Sequence, residues 1–421
     1  MAALKVTGTV RVPGDKSISH RALILGALAT GASRVRGILD SEDVRSTAGV
    51  LHTLGVSKDG ISDDMRVEGV GLRGLNQPQH ALDCGNSGTT TRLMAGVAAA
   101  HPFTSRFEGD ASLSRRPMKR IAEPLGHMGA RFEFAHGDGL PMTVHGAELR
   151  SIDWNTRAAS AQVKSAILLA GLVSGVEVRV TEKSPSRDHT ERMLRAMGVD
   201  VENDGNQVGL RPTTRIRAIE INVPGDPSSA AFFVALGALA SSGEIILSDV
   251  CLNPTRTGFL EVMKRMGARL DVLNTVESGG EPIGTIRVQP SQLESIKVGG
   301  SEVPSLIDEL PLLACTAAAA AVDLEITGAE ELRVKESDRI ATVVQNLRAV
   351  GAQVEELADG LRVIGSGGEI EGVVDPRGDH RIAMAFGILS AARGNRIRIT
   401  NPECVAVSYP GFWDDLRRVT A

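Results

Sequence analysis

Six alanine-rich, almost continuously apolar segments recur along the 421-residue chain at intervals of about seventy residues. They read SISHRALILGALATG from Ser17, SGTTTRLMAGVAAA from Ser87, SAQVKSAILLAGLVSG from Ser160, SSAAFFVALGALASSG from Ser228, SLIDELPLLACTAAAAAV from Ser305 and DHRIAMAFGILSAARG from Asp379. A helix that is apolar nearly all round is a buried helix, and several of these end at glycine, as helices often do. A second, amphipathic helix comes after each, ending in LHTLGV, GHMGA, LRAMGV, MKRMGA and LRAVGA, with FWDDLRRVTA closing the chain. Short alternating runs lie between them: RVEGV at Arg66, FEFAHG at Phe132, EVRVTEK at Glu177, EIILSDV at Glu244, TIRVQP at Thr285 and RIRIT at Arg396. These predict strands.

Each repeat therefore reads as a β-α-β-α-β-β unit with one buried helix, one surface helix and a small sheet. A chain of 421 residues is too long for one core, so two domains are expected. The tetrapeptide VPGD occurs at Val12–Asp15 and again at Val223–Asp226, and these are the natural crossovers. The predicted fold class is α/β, with two domains of three repeats each. One domain holds residues 14–224; the other holds residues 1–13 and 225–421.

The formal charge of −5 argues against a general nucleic-acid or membrane surface. Aromatic residues make up only 3%, little material for stacking bases. Cys84, Cys251, Cys315 and Cys404 are scattered without a CxxC pair and read as reduced thiols. The first ten residues have no apolar stretch of signal-peptide length, and the run Leu310–Val322 is too short to span a bilayer. A cytoplasmic protein is expected.

What begins each buried helix is more specific: DKS, GNSGTTT, SAQ, GDPSS, PSLIDE and GDHR. A helix N-terminus carries unpaired N–H groups and the positive end of the dipole, so it can receive an anion. Ser, Asp and Asn at such places read first as N-caps, Ser228 and Ser229 among them. Lys16 and Arg21 oppose the dipole, with Asp15 the only nearby acid in sequence, and are tolerable if an anion lies between them and the helix end. Arg92 and Lys164, one turn further in, invite the same reading. The glycines of CGNSGTTTR allow close approach of a ligand to the backbone, although no Walker loop is present. SLSRRPMKR carries four cations and no acid. Asp308–Glu309 and RVKESDR, with Glu336 between cations, supply material for proton transfer near bound anions. The nine histidines show no HxxxH or HExxH spacing, so no metal site is expected.

PGDKSISHR, CGNSGTTTR, SAQVKSA, SRDHTE, SLIDELP, RVKESDR and GDHRIAM, in this order, resemble the 5-enolpyruvylshikimate-3-phosphate (EPSP) synthase family. The resemblance covers nearly the whole chain. It implies a two-domain inside-out α/β barrel with helix N-termini facing a cleft. It also implies transfer of the enolpyruvyl group of phosphoenolpyruvate to the 5-hydroxyl of shikimate 3-phosphate, with loss of phosphate from a tetrahedral intermediate. This is a step toward chorismate and the aromatic amino acids. No cofactor is implied, and a monomer with two small-molecule substrates is expected.

Carried over by motif, the resemblance implies that Lys16 meets both substrates. Ser17, Arg21, Ser160, Ala161, Gln162 and Arg187 would line the shikimate 3-phosphate site, with Gln162 also reaching phosphoenolpyruvate. Gly88, Arg116, Arg339 and Arg381 would bind phosphoenolpyruvate, whose phosphate and carboxylate suit the arginine fork. Asp308 would take the proton from the 5-hydroxyl. Glu336 would handle the proton on the methylene carbon, with Lys335 adjacent to both tasks and His380 supporting Glu336. Two positions depart from the family pattern. Val407 stands where many members have a lysine, and Ala161 replaces a serine found in some.

Two other readings share this fold. UDP-N-acetylglucosamine enolpyruvyl transferase usually has a reactive cysteine in a glycine-rich loop, and GDASLSRRPM contains none. A catalytically inactive anion-binding module would not require Asp308, Glu336 and Lys16 together.

Overall fold

The computed structural model describes residues 4–57, 60–157 and 159–420. Met1–Ala3 and Ala421, which the terminal-strand and last-helix readings include, lie outside the described residues. The chain parts into two compact units. The N-terminal unit comprises Gly14–Val223 and Glu277–Glu281; the C-terminal unit comprises the described residues up to Pro13, Pro224–Val276 and Pro282 onward.

In the N-terminal unit, the buried helices Lys16–Leu28, Gly88–Ala99 and Ala161–Ser174 form the core. The last two cross closely: a Cβ on Gly96 would stand 2.3 Å from the carbonyl oxygen of Ala166. Three small sheets surround them. One orders the strands Leu82–Asp83, Thr104–Glu108, Met142–His145 and Arg131–Phe134; another orders Val201–Asp204, Gln207–Leu210, Val178–Thr181 and Ile152–Asn155. In each, the strand before the buried helix pairs in parallel with the strand after it, and an antiparallel hairpin completes the sheet. In the third sheet the leading strand, Glu220–Asn222, comes from the far end of the unit and pairs in parallel with Thr30–Arg36.

The C-terminal unit uses the same device. Lys5–Val10 pairs in parallel with Ser242–Cys251, so the chain's first strand opens a sheet whose helix begins at Pro227. A second sheet orders Ile296–Val298, Leu324–Ile326, Gly360–Ile364 and Gln353–Leu357. The last, among the described residues, pairs Gly372–Val374 with Ile397–Ile399 in parallel, and the helix Phe412–Thr420 follows. Helices Pro227–Leu239, Leu310–Ala320 and His380–Ala392 pack on one another, and Phe232, Phe233, Tyr409, Phe412 and Trp413 form a chain of edge and tilted aromatic contacts. No described helix is long and apolar enough to cross a membrane.

Two helix starts differ from the sequence reading. The segment from Ser305 is not one helix: a short helix Val303–Leu306 gives way to a break at 307–309 and a new helix from Leu310. Pro311 lies in its first turn, where a missing N–H is harmless, and its ring disfavours continuation from the preceding turn. The break sets Asp308 and Glu309 at the mouth of the new helix instead of inside the old one. At Pro227 the cap is Asp226, whose side chain accepts from Ser228 N at 2.8 Å; Ser228 itself is not the cap.

Candidate active site

In the N-terminal unit, Asp15 caps its helix by accepting from Ile18 N at 2.8 Å. Lys16, half-buried at the helix start, has an acid that the local sequence does not reveal: its Nζ is 2.9 Å from Asp43, in the first turn of the helix Glu42–Thr53. Ser17 is half-buried beside it. Arg21 is only 3% exposed and is held from three sides. Its Nε donates to Thr190 Oγ1 at 2.7 Å, Nη1 to the Ser17 carbonyl at 2.9 Å and Nη2 to Ser165 Oγ at 2.9 Å. Burial pushes its pKa down to about 10, against the opposing pull of Glu191, Asp15 and Glu281.

Three segments meet around Gly88, the first residue of its helix. Arg92 Nη1 donates to Gln162 Oε1 at 2.6 Å, Gln162 Nε2 donates to Thr89 Oγ1 at 3.0 Å, and Arg116 Nη2 donates to Asn86 Oδ1 at 2.7 Å. A Cβ on Gly88 would lie 2.8 Å from Arg92 Nη1 and 3.5 Å from Arg116 Nη1. The structure thus brings Gly88, Arg116 and Gln162 together on a helix N-terminus with two guanidinium groups. Ser160 caps the helix that Ala161 begins, and both are half-buried, as is Arg187.

Lys164 does not serve as an open cation. Its Nζ lies 2.8 Å from Glu182 and 2.8 Å from Glu191, and all three side chains are sealed from solvent. Burial would lower its pKa, but the Glu191 and Glu182 carboxylates more than offset this and leave it raised. His20 is also fully buried, and desolvation lowers its pKa to about 3, so it is neutral. Its Nδ1 opens a run of hydroxyl contacts, Thr47, Thr90 and Ser87, each 2.7 Å from the next, which ends at the cap of the Gly88 helix.

In the C-terminal unit the centre is Arg339, 1% exposed. Its Nε donates to Asp379 Oδ2 at 2.8 Å, Nη1 to Asp308 Oδ1 at 3.2 Å and Nη2 to Glu336 Oε2 at 2.7 Å. Burial would lower the pKa of this guanidinium, but Asp379, Glu336 and Asp308 reverse the effect and raise it. Asp308 also lies 3.7 Å from Lys335 Nζ and 3.6 Å from Arg381 Nη2. Five of the sequence-predicted residues, Asp308, Lys335, Glu336, Arg339 and Arg381, are thereby one connected cluster. His380 is buried at the start of its helix, next to the cap Asp379, whose Oδ1 accepts from Arg381 N at 3.0 Å. Val407 is half-buried at the end of a 3₁₀ turn, two residues before Tyr409.

The sequence profile described as EPSP synthase (3-phosphoshikimate 1-carboxyvinyltransferase) matches residues 2–416. The chain belongs to the EPSP synthase family. It is 47% identical to the 3-phosphoshikimate 1-carboxyvinyltransferase of Prochlorococcus marinus, over 98% of this chain and 96% of that one. It is 49% identical to that of Acidithiobacillus ferrooxidans, over 97% and 94%. Its fold matches the crystallised EPSP synthase of Acinetobacter baumannii with a TM-score of 0.88 and 42% identity, over 100% of this chain and 97% of that one.

Within this EPSP synthase-family chain, several residues of both clusters escape a reading of the sequence. Asp43 holds Lys16, and Asp379 holds Arg339. Arg256 is 3% exposed and donates to Asp226 Oδ1 at 2.8 Å and Ser228 Oγ at 2.9 Å, a counterpart of the Arg339–Asp379 pair at another helix start. The signal available is an arginine at or just before the first residue of an amphipathic helix, seen in NPTRTG as in KESDR.

Proposed function

We propose that the chain transfers the enolpyruvyl group of phosphoenolpyruvate to the 5-hydroxyl of shikimate 3-phosphate, as a 3-phosphoshikimate 1-carboxyvinyltransferase. The observation that carries the reading is family membership along nearly the full chain, with the cluster of Asp308, Lys335, Glu336, Arg339 and Arg381 already assembled.

In the proposed mechanism Asp308 accepts the proton of the 5-hydroxyl as its oxygen bonds to C2 of phosphoenolpyruvate. Glu336, with Lys335 adjacent, delivers a proton to the methylene carbon, giving a tetrahedral intermediate. Loss of a proton from the new methyl group to the same carboxylate re-forms the double bond as the C2–phosphate oxygen bond breaks. The products are the enolpyruvyl ether and inorganic phosphate; Glu336 ends protonated, as it began, and the proton taken up by Asp308 passes to the departing phosphate, which returns the protein to its starting state.

Lys16, Ser17, Arg21, Ser160, Ala161, Gln162 and Arg187 are assigned to shikimate 3-phosphate. Lys16, Gln162, Gly88, Arg116, Arg339 and Arg381 are assigned to phosphoenolpyruvate, and His380 to the support of Glu336. Cations at helix starts hold both anions in register, so much of the rate enhancement comes from positioning and electrostatics. Arg339 and Arg21 each already donate to protein groups from all three side-chain nitrogens, so their role is to fix neighbouring carboxylates and hydroxyls as much as to touch a ligand. The same reading gives two domains, 14–224 and the remainder, each an inside-out barrel of three repeats, in a cytoplasmic monomer.

The test is product formation from phosphoenolpyruvate with either shikimate 3-phosphate or UDP-N-acetylglucosamine, followed by mass spectrometry. An enolpyruvyl ether of shikimate 3-phosphate alone is expected. An ether of the nucleotide sugar alone would overturn the assignment.

A further inference from the structure

The strands Arg269–Ser278 and Glu281–Gln289 form a hairpin whose body belongs to the C-terminal unit, while its tip, Glu277–Glu281, belongs to the N-terminal unit. The tip is shaped for tight seating. Gly279 and Gly280 have φ of 59° and 84°, values that favour glycine. A Cβ on Gly279 would stand 2.4 Å from Ile221 Cδ1, and one on Gly280 would stand 2.7 Å from the Arg192 carbonyl. Asn222 N donates to Ser278 Oγ at 3.0 Å, and Arg192 Nη1 donates to the Gly280 carbonyl at 3.2 Å.

The polarity of this hairpin is inverted. Val272 and Val276, on its first strand, are 44% and 64% exposed, whereas Glu281 at the tip is fully buried. Its Oε1 is 2.7 Å from Nδ1 of His189, which is fully buried too. Sealing a carboxylate against an imidazole is an expensive way to fill space, and an apolar pair of similar volume commonly serves stability as well or better. The pair therefore calls for a reason beyond packing.

That reason lies in the helix that His189 begins. His189, Thr190 and Glu191 are consecutive residues at the start of the helix His189–Ala196, and between them they tie it to the hairpin tip and to the helices Lys16–Leu28 and Ala161–Ser174. His189 meets Glu281; Thr190 accepts from Arg21 and shares a 2.7 Å contact with Ser165; Glu191 holds Lys164. Arg187 is two residues upstream of His189. A shift of His189 would thus be passed to Arg187 through the chain and to Arg21 through Thr190.

We propose that Glu281 is a positioning residue for the shikimate 3-phosphate site, holding His189 so that the first turn of its helix sets Arg21 and Arg187. The inference rests on the assignment of those two arginines to that substrate. Glu281 touches no reacting atom, so its loss weakens one substrate and spares the other and the chemical step.

The experiment is steady-state kinetics on the full chain with each substrate varied in turn, alongside calorimetric binding of shikimate 3-phosphate to the wild type. Glu281→Ala is expected to raise KM for shikimate 3-phosphate about tenfold, with KM for phosphoenolpyruvate and kcat within about twofold. Glu281→Gln keeps an oxygen that can accept from His189 Nδ1–H and is expected to recover most of the loss. Val276→Thr, on the exposed face of the same hairpin, is expected to change nothing. Should Glu281→Ala fail to fold, Glu281→Asp withdraws the carboxylate by one methylene and is expected to give an intermediate rise in the same KM. An unchanged KM for shikimate 3-phosphate in a folded Ala or Asp variant would overturn the inference, as would an equal rise in both KM values. If the wild type does not bind shikimate 3-phosphate, the functional reading falls and takes this inference with it.

Discussion

Asp379 Oδ2 accepts a hydrogen bond from Arg339 Nε at 2.8 Å, and both side chains are sealed from solvent, at 0% and 1% exposure. Around the same guanidinium stand Asp308 and Glu336. One arginine thus bridges and orients three carboxylates, two of which carry the proposed proton transfers. Arg339→Met should leave those carboxylates without their common partner and destabilise the fold by about 3–5 kcal/mol. Urea unfolding measures this; a loss under about 1 kcal/mol would show that the cluster relaxes without it.

Gly88 is where a single methyl group tests the geometry of the second cluster. The added Cβ of Gly88→Ala would press on Arg92 Nη1 at 2.8 Å and dislodge it from Gln162. The expected outcome is a rise in KM for phosphoenolpyruvate of about tenfold, equivalent to about 1.4 kcal/mol, with a folded protein. Equal KM values in variant and wild type would mean that this helix N-terminus does not receive the substrate.

His20 links burial to pH. Its pKa in the folded chain is about 3, against an ordinary value of 6.5, because desolvation disfavours the cation. The stability tied to neutral His20 is therefore fully present above pH 6.5 and is lost as pH falls from there toward 3. Within that window the slope is about 1.4 kcal/mol per pH unit. His20→Asn should flatten the acid limb of a urea-stability curve relative to wild type. Parallel curves across that window would contradict the assignment.

Cys84 lies in the CGNSGTTTR motif, yet burial pushes its thiol up to about 12, and its side chain is sealed. An unactivated, inaccessible thiol is a poor nucleophile. Iodoacetamide at mildly alkaline pH is expected to leave both activity and Cys84 intact, read by assay and peptide mass spectrometry. Inactivation that tracks labelling of Cys84 would point to a cysteine-dependent mechanism instead.

The buried helices are legible in the sequence because their apolar character runs all round and recurs in phase, and the strands because they alternate. Asp308, Glu336 and Arg339 also stand out there as chemistry-bearing residues. Partners distant in sequence stay hidden. Asp43 is 27 positions from Lys16, Asp379 is 40 from Arg339, and Glu281 is 92 from His189, separations at which no local pattern survives. Lys164 shows the same effect: its charge looks available until Glu182 and Glu191 are folded onto it. The break before Leu310 is written in Pro311 and in the acids Asp308 and Glu309 that precede the apolar run.

The most direct measurement compares phosphate release by the wild type and by Asp308→Asn, each with phosphoenolpyruvate and shikimate 3-phosphate together and with each alone. The account predicts release by the wild type only when both substrates are present. It predicts a folded variant that still binds shikimate 3-phosphate but releases phosphate at least about 100-fold more slowly, the scale of a lost general base. Silence from the folded wild type, or an Asp308→Asn variant as fast as the wild type, would contradict it.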